Sequence, residues 1–334
     1  MNYDIEFQKN ELDVIVNIAS ELCVSPSIDP ELFCQRAKQL SDKIPQRIKD
    51  ILFDFANYGN QKGFIIIKIN LNDTLINDNN DNDNTMLPPT PDNNNSKIGE
   101  NTIFARIQAI LIQLISEMIA YEAEGYGRLF QDVIPIKNME SKQTSVGSNT
   151  ELEIHTEQAF SKLRPDILSL ACIRGDVNAK TYILPVNIIL DKLSDYEKTL
   201  LRKPLWKIGV DLSFKLHGKQ FIDGDIRGPI SIINGSEYDP ILIFDQDLMF
   251  GITEESDKLI KKIVEIYYNH RFQHNLNTGE LILIDNKRAV HGRSPFVPKY
   301  DGKDRFLIRC FSVFDYEKSN YARNCSRVVS AIYS

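Results

Sequence analysis

Cysteine, histidine and tryptophan are all scarce in this 334-residue chain, with five cysteines, five histidines and one tryptophan. The cysteines are Cys23, Cys34, Cys172, Cys310 and Cys325, an odd number with no CxxC pair. That excludes a disulfide framework and fits reduced thiols in a cytoplasm. Cys172 and Cys310 sit in apolar runs and are expected in the core; no helper-rich surroundings mark any of the five as a nucleophile. A basic excess is missing as well. The net charge is −7 and the pI near 5.4, so neither nucleic acid nor an anionic membrane is an expected partner. No apolar run reaches spanning length, since the longest, IQAILIQLISEMIAY, carries Gln and Glu. The N-terminus, MNYDIEFQKNEL, lacks the basic-then-apolar pattern of a signal peptide, and a cytoplasmic location is expected.

What is present is ordinary globular composition, 42% hydrophobic and 25% charged. The length supports a sizeable core without disulfides or structural metals. Residues 1 to about 60 read as helical, with Leu12, Val16, Ile18 and Leu22 at helical spacing. GFIIIKINL, residues 63–71, is a β-branched run that predicts a buried strand. From about 72 to 98 Asn and Asp dominate, which predicts a solvated surface loop. A calcium loop is excluded there because the glycine and glutamate of the EF-hand pattern are absent. Residues 100–122 predict a long amphipathic helix.

Short β-like runs then alternate with turns: RLFQDVIPI, ELEIHTE, DILSLACIR, KTYILPVNII, RGPISIING, YDPILIFDQD, ELILIDNKRAVHG and RFLIRCFSVF. Helices are expected only near 194–201 and 254–268. Many short strands with helical decoration predict a mainly β sandwich or jelly roll. We find no internal repeat and expect one catalytic domain over 1–334.

Within that frame one set of residues carries chemistry. Residues i and i+2 of a strand point to one face, so His155 and Glu157 in ELEIHTEQ are expected to project together. His291, after the apolar run ELILIDNKRAV, supplies a third ligand. Two imidazoles and a carboxylate on one face of a metal leave the other face open, as in non-haem Fe(II) oxygenases. Arg305 follows 14 residues later and suits the distal carboxylate of a 2-oxoglutarate co-substrate. His217, His270 and His274 have no acid at strand spacing and receive no role.

The flanks of these residues carry a resemblance. IHTEQAFSKLRPDILSLACIRGD and NKRAVHGRSPFVPKYDGKDRFLIRCF are similar to the clavaminate synthase-like Fe(II)/2-oxoglutarate oxygenases. LPPTP near 87 and EGYGRLFQDVIP extend the similarity, which covers roughly 60–315; the Asn/Asp tract departs from it. The resemblance implies a double-stranded β-helix, with His155, Glu157 and His291 as iron ligands and with 2-oxoglutarate and O2 as co-substrates. It gives Arg305 the distal carboxylate of 2-oxoglutarate and Thr181 a supporting hydroxyl, though Thr181 also reads as an ordinary strand threonine. Halogenating relatives replace the carboxylate ligand by a small residue, so Glu157 implies hydroxylation.

The substrate is read from the remaining charges. Arg309, four residues after Arg305, shares its strand face and is matched to the substrate α-carboxylate by the resemblance. Ser145 matches a serine near the same group and reads equally as a turn residue. Glu124 matches a position that reads the substrate amino group. Asp245 and Asp247, expected on one strand face, could bind a cationic side chain or cap a loop. Acids facing two arginines suit a free, basic L-amino acid, lysine ahead of arginine, hydroxylated at C3 or C4. Asparagine is the nearest competitor. Desaturation or ring closure on the same scaffold and a non-catalytic jelly-roll binding protein are the other readings.

Overall fold

The computed structural model describes residues 3–71, 87–211, 214, 225–324 and 326–333. Most of the Asn/Asp tract, His217 and Cys325 lie outside the described residues. Strands are numbered along the chain. Among the described residues the larger sheet has eight: Ile5–Glu6 (β1), Phe64–Lys68 (β2), Glu117–Tyr121 (β3), Gln131–Val133 (β4), Ile167–Arg174 (β6), Glu280–Asp285 (β14), Phe306–Val313 (β16) and Val328–Val329 (β17). Their order is β1-β2-β14-β6-β16-β3-β17, with β4 also on β16. The smaller sheet has four, Leu152–His155 (β5), Lys180–Pro185 (β7), Phe272–Asn275 (β13) and Ala289–Arg293 (β15), in the order β13-β7-β15-β5. Trp206–Gly209 (β8), Ile226–Ile230 (β9) and Met249–Gly251 (β12) form a third sheet, and Ile233–Gly235 (β10) pairs with Pro240–Leu242 (β11).

Period-two alternation builds the layers. Ile65 and Ile67 of β2, Ala171 and Ile173 of β6, and Ile308 and Cys310 of β16 point outward into one core. Helices Lys9–Ser20 (α1), Pro30–Ser41 (α2), Gln46–Tyr58 (α3) and Ile103–Ile115 (α4) cover that core. Phe64, Ile66, Leu168, Leu170, Leu307 and Phe311 point inward and meet Ile183 and Ala289 of the smaller sheet. The outer face of the smaller sheet is covered in turn by Val186–Asp191 (α5), Asp195–Leu201 (α6) and Glu254–His270 (α7). The lone tryptophan, Trp206, is fully buried in this last core, and its indole N–H donates to Ser256 O at 3.0 Å. Two facing sheets with helices outside form the expected jelly-roll core.

Three local expectations fail for physical reasons. The helix expected over 100–122 ends at Ile115, and Glu117–Tyr121 is a strand. It is apolar nearly all round because it lies buried between α2 and the larger sheet; its Gln108 donates to Ser169 Oγ at 2.9 Å and its Gln113 to Cys34 O at 3.0 Å. The run KTYILPVNII divides at Pro185, after which α5 begins. ELILIDNKRAVHG is not one strand but two, β14 and β15, in different sheets.

Glu280, at the start of β14, ties three segments together. It accepts from Tyr3 Oη at 2.7 Å and from Asn277 N at 3.0 Å, and lies 2.7 Å from His274 Nε2. Burial pushes its carboxyl up, but these bonds outweigh it and hold the carboxyl at about 2. A depressed folded pKa contributes stability above the usual carboxylate range, lost as pH falls. Urea unfolding of the chain and of Glu280→Gln should therefore differ fully near neutral pH, and the gap should close between about pH 4.5 and pH 2. A gap independent of pH would rule out this role for Glu280.

Candidate active site

The cavity opens between the inner faces of the two sheets, and strand parity decides which side chains enter it. On β16 the odd positions face inward, so Arg309 shares a face with Leu307 and Phe311, and Arg305 continues that face just before the strand begins. On β15 His291 and Arg293 point in while Val290 joins the outer core. On β7 Thr181 and Ile183 face inward and Tyr182 outward.

His291 is paired directly with His155 across the β15–β5 ladder, and their ring centroids lie 4.4 Å apart. The donor atoms of His155, Glu157 and His291 all lie within 4.8 Å of one another. Glu157 Oε2 is 3.5 Å from His291 Nε2. His155 Nδ1 lies 2.8 Å from Glu153 O, which makes it the protonated nitrogen and leaves Nε2 for a ligand. Burial, with the charge of His155, lowers His291 to about 4 and keeps its imidazole neutral. Burial pushes Glu157 up, but Arg309 and the two histidines outweigh it and hold the carboxyl at about 2. A neutral imidazole at His291 and an ionised carboxylate at Glu157 are protonation states a divalent ion needs. The donor set fits an Fe(II) of facial-triad type.

Two expectations about these ligands change. His291 is not at the end of a long strand but in the middle of β15, across a tight connection from β14. Glu157 is not on the strand with His155, because β5 stops at His155 and Glu157 begins a turn. Gln158 next to it has a φ of 53°, a left-handed conformation costing about 1–3 kcal/mol that redirects the chain at this point.

Around the triad the charges divide in two. Arg305 is buried and makes no hydrogen bond or ion pair among the described residues; burial lowers it to about 10. It lies over Phe296, as does Arg293. The buried hydroxyl of Thr181 also has no partner among the described residues. Together they form a cationic recess with an unused donor. Arg309, by contrast, is already paired within the protein. Its Nη2 donates to Glu124 Oε1 at 2.5 Å, its Nε to Gln131 Oε1 at 3.0 Å, and its Nη1 lies 3.4 Å from Glu157 Oε1. Glu124 also accepts from Gln158 Nε2 at 2.8 Å. One guanidinium facing two buried carboxylates leaves an excess negative charge, and burial pushes Glu124 up to about 7 despite Arg309.

Asp245 and Asp247 do not share a strand face. Asp245 forms an isolated bridge with His155, and the chain then turns, with Asp245 Oδ1 accepting from Asp247 N at 3.0 Å and Leu248 N at 2.8 Å. The loop-capping reading is thus correct for Asp245, yet both residues also line the cavity, Asp245 buried and Asp247 exposed. Burial raises Asp245 to about 7 against the pull of His155. Ser145 lines the cavity from a half-buried loop, and its carbonyl accepts from Arg293 Nη1 at 3.3 Å. Gln131, Gln158, Asp211 and Arg293 also line the site and were missed. No motif or spacing marks Gln131; only the pairing of Arg309 with it on β4 brings that glutamine in. Arg293 alone had a signal, lying two residues after His291 on the same strand face.

Known proteins bear on this geometry. Residues 238–311 match the family described as Taurine catabolism dioxygenase TauD, TfdA family. The chain is 44% identical over 303 residues to an L-lysine 3-hydroxylase of Catenulispora acidiphila, covering 90% of this chain and 82% of that one. It is similar to the crystal structure of asparagine oxygenase in complex with Fe(II), 2S,3S-3-hydroxyasparagine and succinate, with a TM-score of 0.88, 28% identity and 98% and 99% of the two chains covered. The oxygenase OrfP in complex with Fe and α-ketoglutaric acid gives a TM-score of 0.82 at 25% identity, over 97% and 98% of the chains.

Gly292 separates His291 from Arg293, and a Cβ there would sit 2.6 Å from Leu152 O and 2.9 Å from Tyr267 Oη. The first is backbone of the neighbouring strand and cannot yield cheaply. Gly292→Ala should cost about 1–3 kcal/mol in urea unfolding and weaken Co(II) binding, because β15 must move off β5. Unchanged stability and affinity would show that the ladder tolerates the methyl group.

Proposed function

This chain belongs to the clavaminate synthase-like amino-acid hydroxylases, and within that family we propose that its substrate is free L-lysine and that the hydroxyl goes to C3. It is an Fe(II)- and 2-oxoglutarate-dependent dioxygenase. The metal with 2-oxoglutarate and O2 supplies the oxidising power to hydroxylate an unactivated carbon, releasing succinate and CO2.

The protein's part is to bind, orient and keep water out. His155, Glu157 and His291 hold the iron. Arg305, a buried guanidinium with no anion of its own, receives the distal carboxylate of 2-oxoglutarate, with the Thr181 hydroxyl as a second donor. Arg309 takes the α-carboxylate of the amino acid and Glu124 its ammonium, with Ser145 beside the carboxylate. Asp245, with Asp247 at the cavity edge, receives the side-chain ammonium. The observation that carries the lysine reading is the buried Asp245 on the cavity wall, whose carboxylate accepts only from backbone N–H groups and has no Lys or Arg paired to it among the described residues. An uncharged asparagine side chain leaves that acid unbalanced, whereas a lysine ammonium offsets it. The resemblance to an L-lysine 3-hydroxylase supports both lysine and C3.

Two measurements test this. Succinate release with Fe(II), 2-oxoglutarate and each of the twenty amino acids should be greatest with lysine, and the product should carry its hydroxyl on C3 by NMR. Greater turnover with arginine or asparagine would overturn the substrate, and a C4 product the position. Arg305→Ala should raise the KM for 2-oxoglutarate by an amount equivalent to about 2–4 kcal/mol, the loss of a charge-assisted pair. An unchanged KM would remove Arg305 from the co-substrate site.

A further inference from the structure

Glu157 is the one candidate ligand that no strand ladder holds. β5 ends at His155, and the left-handed Gln158 turns the chain away immediately afterwards. A carboxylate on such a turn needs another constraint if it is to meet two histidines fixed by ladder pairing. Asn286, 129 residues away and fully buried, provides one. Its Oδ1 accepts from Glu157 N at 2.6 Å, and its Nδ2 donates to Glu157 O at 3.1 Å. The side-chain amide therefore engages both backbone groups of a single residue, as a neighbouring strand would. A third bond, Nδ2 to Pro165 O at 2.8 Å, holds the far end of the segment that follows Glu157. The backbone of Asn286 is itself held, since its N–H donates to Asp166 O at 2.9 Å.

The chemistry selects asparagine. The position needs one acceptor and two donors on a short stem: a carboxylate lacks the donors, and a hydroxyl lacks the reach. Asn286 also sits in the β14–β15 connection, five residues before His291. The short segment that delivers one histidine to the site thereby anchors the carboxylate on the other side of it.

We propose that Asn286 is the positioning residue of the metal centre, setting Glu157 against His155 and His291 so that all three reach one divalent ion. This rests on Glu157 being a metal ligand. The test uses Co(II) as the probe, titrated anaerobically into the full chain and followed by its visible absorption. Asn286→Leu, close in shape and without donors or acceptors, should weaken Co(II) binding about 10- to 100-fold, the usual loss when a ligand's outer partner is removed. If the substitution prevents folding, as judged by far-UV circular dichroism, Asn286→Ser is measured in its place. In a Glu157→Ala background the same change should cause no further loss, because Asn286 acts through Glu157. An unchanged affinity in the single variant, or an equal loss in both backgrounds, would overturn the proposal while leaving the ligand assignment standing. A Glu157→Ala chain that binds Co(II) normally would instead overturn the ligand assignment and this inference with it.

Discussion

The pairing of β15 with β5 is the constraint on which the site depends. It sets His291 opposite His155 in register, and β7 on the other side of β15 sets Thr181 opposite Arg293. Because side chains alternate, a slip of β15 by one residue would turn His291 and Arg293 into the outer core and bring Val290 inward. The hydrophobic sets on the two faces therefore protect the chemistry: Val290, Ile154, Tyr182 and Leu184 are buried against the helices of the smaller sheet and resist such a slip. Packing that has nothing to do with catalysis fixes the geometry of the proposed metal donors.

Charge is the second constraint. A buried guanidinium or carboxylate is costly unless it is paired. Arg309 meets that demand with Glu124 and Glu157, and in doing so couples the region proposed for the amino acid to a proposed iron ligand through one side chain. Arg305 does not meet it within the described protein. The two arginines lie on the same face of neighbouring chain yet differ in this respect, which suits one to a partner shared with the protein and the other to an incoming anion.

Much of this was legible in the sequence, and the failures have a common cause. Residue type and spacing singled out His155, Glu157, His291, Arg305 and Arg309, which the structure brings to one cavity, and the jelly-roll layers follow from runs such as GFIIIKINL and RFLIRCFSVF. Places where the chain changes direction were not legible. Glu157 was placed on a strand that in fact ends two residues earlier, Asp245 on a strand that is a bridge and turn, and His291 at the end of one strand instead of inside the next. Alternation says which face a residue would take if the strand continued, and nothing about whether it continues. Asn286 and Gln131 were missed because their roles arise only from contacts across 129 and 178 residues.

Trp206 gives the fold a built-in reporter. As the only tryptophan, buried behind the strands that carry the two histidines, it samples a single layer of the molecule. Its emission responds when the cover of the smaller sheet loosens, whereas a far-UV signal sums over all the helices, including the four behind the larger sheet that lie away from it. Disagreement between the two signals during denaturation would therefore reveal whether the helical side and the metal side of this sandwich come apart together or in sequence.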